Sequence, residues 1–188
     1  MANWHYCSVR IELHLLSSDE IIELFEFPNG LRIYEGKAFS NPHRVLMDDS
    51  GPLHWRVPQV KADPGVNIWF VRWIVLLATS EIIGSTSFHG PPDHAGMVEI
   101  GLGIHPSFQR QGYGREALVA MWSWAVEQPQ VSMLRYTVSP TNVASVKLIE
   151  SFGFNLVGQQ LDEIDGPEDI YELSAAEFWL IKCPENYR

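Results

Sequence analysis

The chain has 188 residues, of which 46% are hydrophobic and 19% are charged, and its formal net charge is −10. A chain of this length and hydrophobic content can bury one substantial core, so we expect a single domain over residues 1–188. The acidic balance argues against nucleic acid as a partner, because proteins that bind phosphate backbones present a basic surface. A cationic partner suits an acidic protein better, since net charge steers association.

Cysteine usage gives no sign of a disulfide or a metal site. Cys7 and Cys183 lie near opposite ends of the sequence, and the Cys-x-x-Cys spacing of metal sites is absent. We therefore expect reduced thiols in a cytoplasmic protein without a bound metal. The first residues lack the basic and apolar regions of a signal peptide. The longest apolar run, residues 68–78, contains Arg72 and is too short to cross a bilayer, so no association with a membrane is expected.

The first predicted elements are a strand over residues 8–15 and a helix over residues 20–27. The strand rests on alternating apolar and polar residues. The sequence Ser-Ser-Asp at residues 17–19 offers three candidates for the helix N-cap. The turn sequence Pro-Asn-Gly at residues 28–30 is expected to end the helix.

Residues 36–66 are rich in proline, glycine and charged side chains, and they predict little regular structure beyond a short helix over residues 42–48. Two interpretations are open for this region. It is either an irregular surface connection or a lid over a binding site, because long loops in compact domains often carry function.

Three hairpin-linked strands are predicted next, over residues 67–78, 81–89 and 97–104. The third has the sequence MVEIGLGI, which places Glu99 on the same face as two glycines, whereas its apolar residues share the other face. A carboxylate beside two positions that lack side chains leaves room for a ligand along the strand.

The sequence QRQGYG at residues 109–114 follows this strand and opens a predicted helix that ends near Pro129. Apolar residues recur at helical spacing in this helix, namely Ala117, Leu118, Met121, Trp122, Ala125 and Val126. Glycines at a helix start let the backbone approach a ligand closely. The free N–H groups and the positive end of the helix dipole favour an anion, so this loop is a candidate phosphate site.

The remaining elements are a strand over residues 133–138, a helix over 142–152 and a final hairpin with strands over 154–163 and 168–174. A strand, a helix and a strand in succession imply a right-handed crossover and a parallel pair between residues 97–104 and 133–138. The tip of the hairpin is acidic, which is typical of a solvated loop.

Two types of phosphate site compete for the glycine loop. GYGREA at residues 112–117 fits the loose form of the dinucleotide-binding fingerprint, which would make the protein a nucleotide-dependent oxidoreductase. That fingerprint joins a strand to a helix by a very short turn, whereas seven residues separate Ile104 from Gly112. The strands before the loop are hairpin-linked and form no βαβ unit. Both features argue against the dinucleotide interpretation.

The same loop resembles the Q/R-x-x-G-x-G/A motif of the GCN5-related N-acetyltransferase (GNAT) superfamily, and NVASVKLIESFGF at residues 142–154 is similar to that family's second signature. The resemblance covers residues 68–175 and points most to the branch of ribosomal-protein N-terminal acetyltransferases, such as RimJ and RimL. It implies an α/β fold with a mixed, mostly antiparallel sheet, helices on both sides and a splayed parallel strand pair. It also implies that residues 97–154 bind acetyl-CoA and that residues 36–66 flank the acceptor.

The resemblance assigns roles to individual residues. Glu99 corresponds within about one position to the family's catalytic base, and a carboxylate in a partly apolar cleft is a stronger base than one in water. A backbone N–H near Gly103 is expected to stabilise the oxyanion. Many members carry a tyrosine as leaving-group acid where this chain has Ile149, and Ser145 is the substitute that the ribosomal-protein branch suggests. The residues expected to bind acetyl-CoA are Leu102, Gly103, Ile104, Gln109, Arg110, Gln111, Gly112, Tyr113, Gly114, Arg115 and Asn142.

Structural roles are the alternatives for three of these residues: an ion pair for Glu99, close helix packing for Ser145 and a helix cap for Asn142. The implied reaction is transfer of an acetyl group from acetyl-CoA to a primary amine by direct attack, with no metal. An α-amino group is about one-tenth neutral at pH 7, whereas a lysine amine is neutral in only about one part in a few thousand, so a lysine acceptor needs a base more.

The acceptor is left open between a protein N-terminus and a small amine. The missing tyrosine leaves a second function open, that of a non-catalytic protein that binds acyl-CoA. Exposed tryptophans would indicate a homodimer.

Overall fold

The computed structural model describes residues 10–30, 34–48, 51–163 and 166–182. The chain divides into two compact units, a first formed by residues 1–90 and 102–120 and a second formed by residues 91–101 and 121–188. Both cysteines, on which the expectation of reduced thiols rests, lie outside the described residues.

The first unit opens with three strands and two helices among the described residues. They are β1 (Ile11–Leu15), α1 (Ser18–Glu26), α2 (Leu53–Ala62), β2 (Arg72–Leu76) and β3 (Glu81–Phe88), with a 3₁₀ turn over Pro64–Trp69 before β2. β1 pairs antiparallel with β2, and β2 pairs antiparallel with β3. The strand predicted over residues 67–78 is therefore present but shorter, because its first residues belong to the 3₁₀ turn.

A capping box fixes the start of α1, in which two side chains satisfy backbone donors reciprocally. The Ser17 hydroxyl accepts a hydrogen bond from the Glu20 backbone N–H at 3.2 Å, and Glu20 Oε2 accepts one from the Ser17 backbone N–H at 2.8 Å. Ser17 is thus the N-cap among the three predicted candidates. The prediction of this helix is confirmed, and it ends one residue earlier than expected.

The prediction of a helix over residues 42–48 is wrong. This segment forms turns, and both Arg44 and Leu46 adopt left-handed backbone angles, with φ values of +53° and +62°. Residues other than glycine adopt such angles at an energetic cost and never in a continuous right-handed helix. The segment is nevertheless ordered by side-chain hydrogen bonds, since Asn41 Oδ1 accepts from the Val45 backbone N–H at 2.9 Å.

A helix that the sequence did not suggest, α2, replaces part of the irregular loop expected over residues 36–66. Pro58 lies inside α2, and a proline there removes one backbone hydrogen bond, which made the helix hard to predict. Leu53, Val57 and Val60 of α2 are buried. Their packing stabilises the helix against that loss, because tertiary contacts supply most of the stability of short helices.

Two elements have residues in both units, namely β4 (Met97–Ile104) and α3 (Tyr113–Val126). The second unit then contains β5 (Met133–Val138), α4 (Val143–Glu150), β6 (Asn155–Asp162), β7 (Gly166–Ser174) and α5 (Ala175–Lys182). The bounds of β4 and β5 match the prediction to the residue. The last helix, α5, was missed, because the prediction ended with the hairpin of β6 and β7.

The strand order is β1-β2-β3-β4-β5-β7-β6, a mixed and mostly antiparallel arrangement. β4 and β5 form the predicted parallel pair, in which Met97–Glu99 faces Met133–Arg135. Pairing in this register covers only the first three residues of each strand, so the predicted splayed pair is confirmed. β5 and β6 each pair antiparallel with β7. The predicted fold class is therefore correct.

Each unit has an aromatic core of its own. In the first unit Trp73 of β2 is fully buried, and the rings of Tyr34 and Phe39 lie 5.5 and 5.8 Å from it. In the second unit Trp122 of α3 is fully buried, with Phe154 at 4.7 Å. Phe178 of α5 packs on the same tryptophan, so this burial explains why the chain continues as a helix after β7.

Among the residues that the structure describes, no helix is both long enough and apolar enough to cross a membrane.

Candidate active site

The residues predicted to bind acetyl-CoA fall in two groups. Residues 102–104 and 109–115 belong to the first unit, whereas Asn142 belongs to the second, together with the two predicted catalytic residues, Glu99 and Ser145.

The alternation predicted for β4 holds over its first half, where Val98 and Ile100 are buried and Glu99 is half-buried. In the second half Leu102 and Ile104 are also only half-buried, and Gly103 is exposed. A Cβ atom placed on Gly103 would meet no other atom within 4 Å. The strand therefore has open space beside it at this position, as its pattern of glycines indicated.

Gly84 of β3 fixes how closely the end of β4 lies against β3. A Cβ atom on Gly84 would come within 2.3 Å of the Gly103 carbonyl oxygen, so no other residue fits there without backbone movement. The His105 backbone N–H donates to the Ile83 carbonyl oxygen at 2.8 Å just beyond this contact. The sequence offered one signal for this role, a glycine inside a predicted strand, which often marks a close backbone approach.

The loop between β4 and α3 is ordered by its own glutamines. Gln109 donates from its side-chain amide to the Ile104 carbonyl oxygen at 2.9 Å, and Gln111 donates from its side-chain amide to the Ser107 carbonyl oxygen at 3.0 Å. Gln109 and Gln111, both predicted to bind acetyl-CoA, thus use their side-chain donors in bonds to nearby carbonyl oxygens. These bonds hold the backbone of the loop in place.

Gly112 adopts φ +88°, and Arg110 two residues earlier adopts φ +60°. Both angles lie in the left-handed region, which glycine enters without strain and other residues enter at a cost. The Gly112 carbonyl oxygen accepts from the Glu116 backbone N–H at 3.1 Å, which is the first helical bond of α3. The glycine predicted at the mouth of the helix is therefore required by the backbone turn into it.

Arg10 is the residue of this site that the sequence did not suggest. It precedes β1, yet its side chain contacts the loop and the first turn of α3, where it hydrogen-bonds to Glu116, 106 positions further along the chain. No motif or spacing connects residues at such a separation. Only the packing of β1 in the first unit brings them together.

In the second unit the carboxylate of Glu99 has a defined partner. The Thr137 hydroxyl of β5 donates to Glu99 Oε1 at 2.6 Å. Arg135, which lies opposite Glu99 in the parallel pair, donates from Nε to Glu172 Oε1 at 2.9 Å. Glu99 is thus held by a hydroxyl in this contact, while the neighbouring arginine is engaged by a different carboxylate.

Ser145 lies at the start of α4, where its backbone N–H donates to Asn142 Oδ1 at 3.2 Å. Its side chain lies near the hydroxyl of Tyr136, a residue of β5 that is only 5% exposed. Burial raises the pKa of Tyr136, and the nearby Ser145 side chain offsets this in part. The sequence missed Tyr136 because it belongs to a different element from Ser145.

The two predicted catalytic residues contact opposite faces of β5. Thr137, the partner of Glu99, and Tyr136, the partner of Ser145, are consecutive residues of a strand, so their side chains point to opposite sides. The structure therefore does not bring Glu99 and Ser145 together through β5. Ile149 is fully buried in α4 and supplies no polar group. Many members of the family that the sequence resembles carry a tyrosine at this position.

No cluster of three or more histidine, cysteine, aspartate or glutamate side chains is arranged to hold a metal ion within the part of the chain that the structure describes.

The model of the acetyltransferase (GNAT) domain family matches residues 13–155, so the chain belongs to this family. It is 38% identical over 88 residues to the Bacillus subtilis (strain 168) protein named uncharacterized N-acetyltransferase YjdG, a stretch that covers 46% of this chain and 52% of the relative. The chain spans about half the length of the curated relatives it matches.

Solved structures share the fold over nearly the whole chain. The ribosomal-protein-S5-alanine acetyltransferase from Vibrio fischeri superposes with a TM-score of 0.67 at 14% identity, covering 94% of this chain and 99% of that one. The aminoglycoside acetyltransferase AAC(6')-Ib, in complex with coenzyme A, gives a TM-score of 0.59 at 19% identity, covering 92% and 99%. At these identities the likeness establishes the fold, which agrees with the family match.

Proposed function

We propose that this protein transfers the acetyl group of acetyl-CoA to a primary amine by direct attack of the amine on the thioester. The observation that carries the proposal is the start of α3, where the left-handed Gly112 turns an ordered loop into the helix. Such a helix start directs backbone N–H groups and the positive end of the dipole at a phosphate. The GNAT family of the chain supplies the reaction class.

The cofactor would be held mainly by backbone groups. The N–H groups of residues 110–115 would bind its pyrophosphate, and the guanidinium groups of Arg110 and Arg115 would add positive charge. Leu102, Gly103 and Ile104 would lie beside the arm that carries the thioester, which the open space at Gly103 supports. Acetyl-CoA supplies the acetyl group and the thiolate leaving group.

Glu99 is the proposed base for the attacking amine. The reaction forms a C–N bond, breaks the C–S bond and removes a proton from the amine nitrogen. The hydrogen bond from Thr137 orients the Glu99 carboxylate, which would accept that proton directly or through a water. A backbone N–H near Gly103 would stabilise the oxyanion.

Tyr136 and Ser145 are the proposed donors toward the departing sulfur. Burial raises the pKa of Tyr136 above the ordinary tyrosine value, so its hydroxyl donates hydrogen bonds but is a weak proton donor at neutral pH. Ser145 would contact the sulfur and Tyr136 would orient Ser145. The thiolate then takes its proton from solvent.

The acceptor class is a primary amine, at a protein N-terminus or in a small molecule. The net charge of −10 favours cationic acceptors of both kinds. Structural neighbours include enzymes named for the acetylation of a ribosomal protein, of spermidine and of aminoglycosides. Each of these substrates carries an amine. An acidic chain of this fold therefore suits a charged amine, and the choice among these acceptors belongs to experiment.

A second function is favoured by one observation. The fully buried Ile149 leaves the usual position of the leaving-group acid without a polar group. A protein that binds acyl-CoA without turning it over would have the same glycine turn. The cytoplasmic location expected from the sequence stays a prediction, and so does the homodimer that exposed tryptophans would indicate.

Calorimetric titration of acetyl-CoA tests the proposal. We expect the wild type to bind and Gly112→Glu to lose more than about 100-fold in affinity, because the variant adds strain and a negative charge where the pyrophosphate would lie. Gly90→Glu is the matched control, since a Cβ atom at Gly90 would meet no other atom within 4 Å. NADH is the control ligand for the dinucleotide interpretation.

The outcomes separate the functions. Binding of acetyl-CoA by the wild type, followed by turnover with an amine that falls in Glu99→Gln, supports the acetyltransferase. Binding without turnover across protein, polyamine and aminoglycoside acceptors supports the non-catalytic alternative. Binding of NADH and not of acetyl-CoA would overturn both.

A further inference from the structure

We propose that Arg10 is a positioning residue that holds the start of α3 ready for an anion, an inference that rests on the proposed binding of acetyl-CoA at that helix start. Arg10 lies outside every motif of the sequence. The inference concerns which residue gives the glycine loop its binding geometry and its positive potential.

The contacts of Arg10 surround Gly112 on both sides in the sequence. One terminal nitrogen donates to the Gln111 carbonyl oxygen at 3.1 Å, and the guanidinium carbon lies 4.6 Å from the centroid of the Tyr113 ring. Nε donates to Glu116 Oε1 at 2.5 Å, and the second terminal nitrogen pairs with the same oxygen. A single side chain thus fixes the residue before the turn, the residue after it and the first turn of the helix.

The chemistry of these contacts leaves the anion site accessible. A guanidinium group has five N–H donors and no acceptor. Arg10 can therefore engage the Gln111 carbonyl and the Glu116 carboxylate, but it cannot accept a hydrogen bond from any backbone N–H at the start of α3. An arginine fixes the turn without occupying the donors that a phosphate needs.

Charge gives Arg10 a second effect at the same place. Glu116 lies in the first turn of α3, where a carboxylate is stabilised by the helix dipole but repels an incoming phosphate. Arg10 compensates the charge of Glu116 through two hydrogen bonds to one oxygen. Without Arg10, the carboxylate would reduce the positive potential that the helix start offers to the cofactor.

These contacts are partly exposed, with 44% of the Arg10 side chain and 25% of the Glu116 side chain accessible. Exposed ion pairs contribute little to folding stability. Removal of Arg10 should therefore change cofactor affinity more than thermal stability. A merely structural salt bridge would behave in the opposite way.

The test is a double-mutant cycle for acetyl-CoA affinity, measured by calorimetry on the wild type, Arg10→Ala, Glu116→Gln and the double variant. We expect Arg10→Ala to weaken binding about tenfold and the double variant to recover a large part of that loss, because the repelling carboxylate is then absent. Arg10→Lys should fall between, since lysine keeps the charge but lacks the planar fork.

Arg44→Ala is the matched control, because Arg44 forms an exposed ion pair with Asp48 elsewhere in the first unit. Wild-type affinity retained within about twofold in Arg10→Ala would overturn the inference and leave the proposed function intact. A tenfold loss that Glu116→Gln does not relieve, accompanied by a fall in Tm, would also overturn it in favour of a structural role. If Arg10→Ala does not fold, Arg10→Lys, alone and combined with Glu116→Gln, decides by the same criteria. Absence of binding by the wild type would instead overturn the proposed function.

Discussion

The starts of α3 and α4 are held in place by different kinds of side-chain contact. Both helices follow a strand and begin within a sequence that resembles a motif of the GNAT family. At α4 a residue next to the helix provides the N-cap, since Asn142 Oδ1 accepts from the Ser145 backbone N–H. At α3 the turn is held by Arg10 from a distant part of the chain, through contacts to a carbonyl, a ring and a carboxylate.

The difference gives a criterion for deciding whether the backbone N–H groups of a helix start are capped by the protein or left to a ligand. A cap with an acceptor oxygen satisfies backbone donors and so competes with an anion. A side chain that has only donors, such as arginine, cannot accept hydrogen bonds from these backbone N–H groups. It therefore leaves them to a ligand. On this criterion the start of α3 is the proposed cofactor site, whereas Asn142 is a helix cap. α1, closed by the capping box of Ser17 and Glu20, belongs to the same class as α4.

Among the changes near α4 and α1, the largest effect is expected from the hydroxyls of Tyr136 in β5 and Ser145 in α4. Tyr136→Phe should lower kcat about tenfold while acetyl-CoA affinity stays unchanged, because the pair acts on the departing sulfur. Steady-state kinetics with a saturating amine measures this change. Ser145→Ala should have the same effect, and the double variant should lose no more than either single variant. An unchanged kcat in both single variants would reduce α4 to a purely structural element.

A smaller effect is expected from the cap itself. Asn142→Ala should lower the free energy of unfolding by about 1 kcal/mol, since the Ser145 backbone N–H then loses its acceptor. Acetyl-CoA affinity should change by less than about twofold. Urea denaturation and calorimetry measure the two quantities, and Asn142→Asp serves as the control that retains a capping oxygen. A tenfold loss of affinity in Asn142→Ala would remove the contrast with α3.

The smallest effect is expected at α1, where capping and charge can be separated. Burial raises the pKa of Glu20, but hydrogen bonds from Lys37 and Ser17 outweigh it, so the net pKa lies below its ordinary value. The unfolded chain therefore takes up the proton first as pH falls. The stabilisation is present above the ordinary glutamate pKa and is lost as pH falls through the lower folded value.

Glu20→Gln isolates this charge effect, because glutamine can also complete a capping box. At pH 7 we expect a cost of about 0.5 kcal/mol, the scale of a partly exposed ion pair. The stability of the variant should depend less on pH between about 5 and 3 than that of the wild type. Thermal melts across this range test it. Parallel pH curves for the two proteins would assign the acid sensitivity to other groups.

The elements that can be predicted from the sequence are those with a local cause. β4 alternates with a period of two, and its bounds follow from that pattern. α3 follows from a glycine turn and a helical apolar stripe, and Gly112 adopts the angle that only a glycine enters without strain. The cap at Asn142 and the capping box at Ser17 are likewise decided within four residues.

Tertiary structure alone decided the contacts that give these elements their chemistry. The partners Arg10 and Glu116 are 106 positions apart, and Thr137 and Glu99 are 38 apart, so strand order and register bring them together. α2 forms despite Pro58 because burial of its apolar side chains stabilises it. Local periodicity and backbone chirality act over a few residues and can be read along the chain, whereas side-chain partners depend on packing between distant segments.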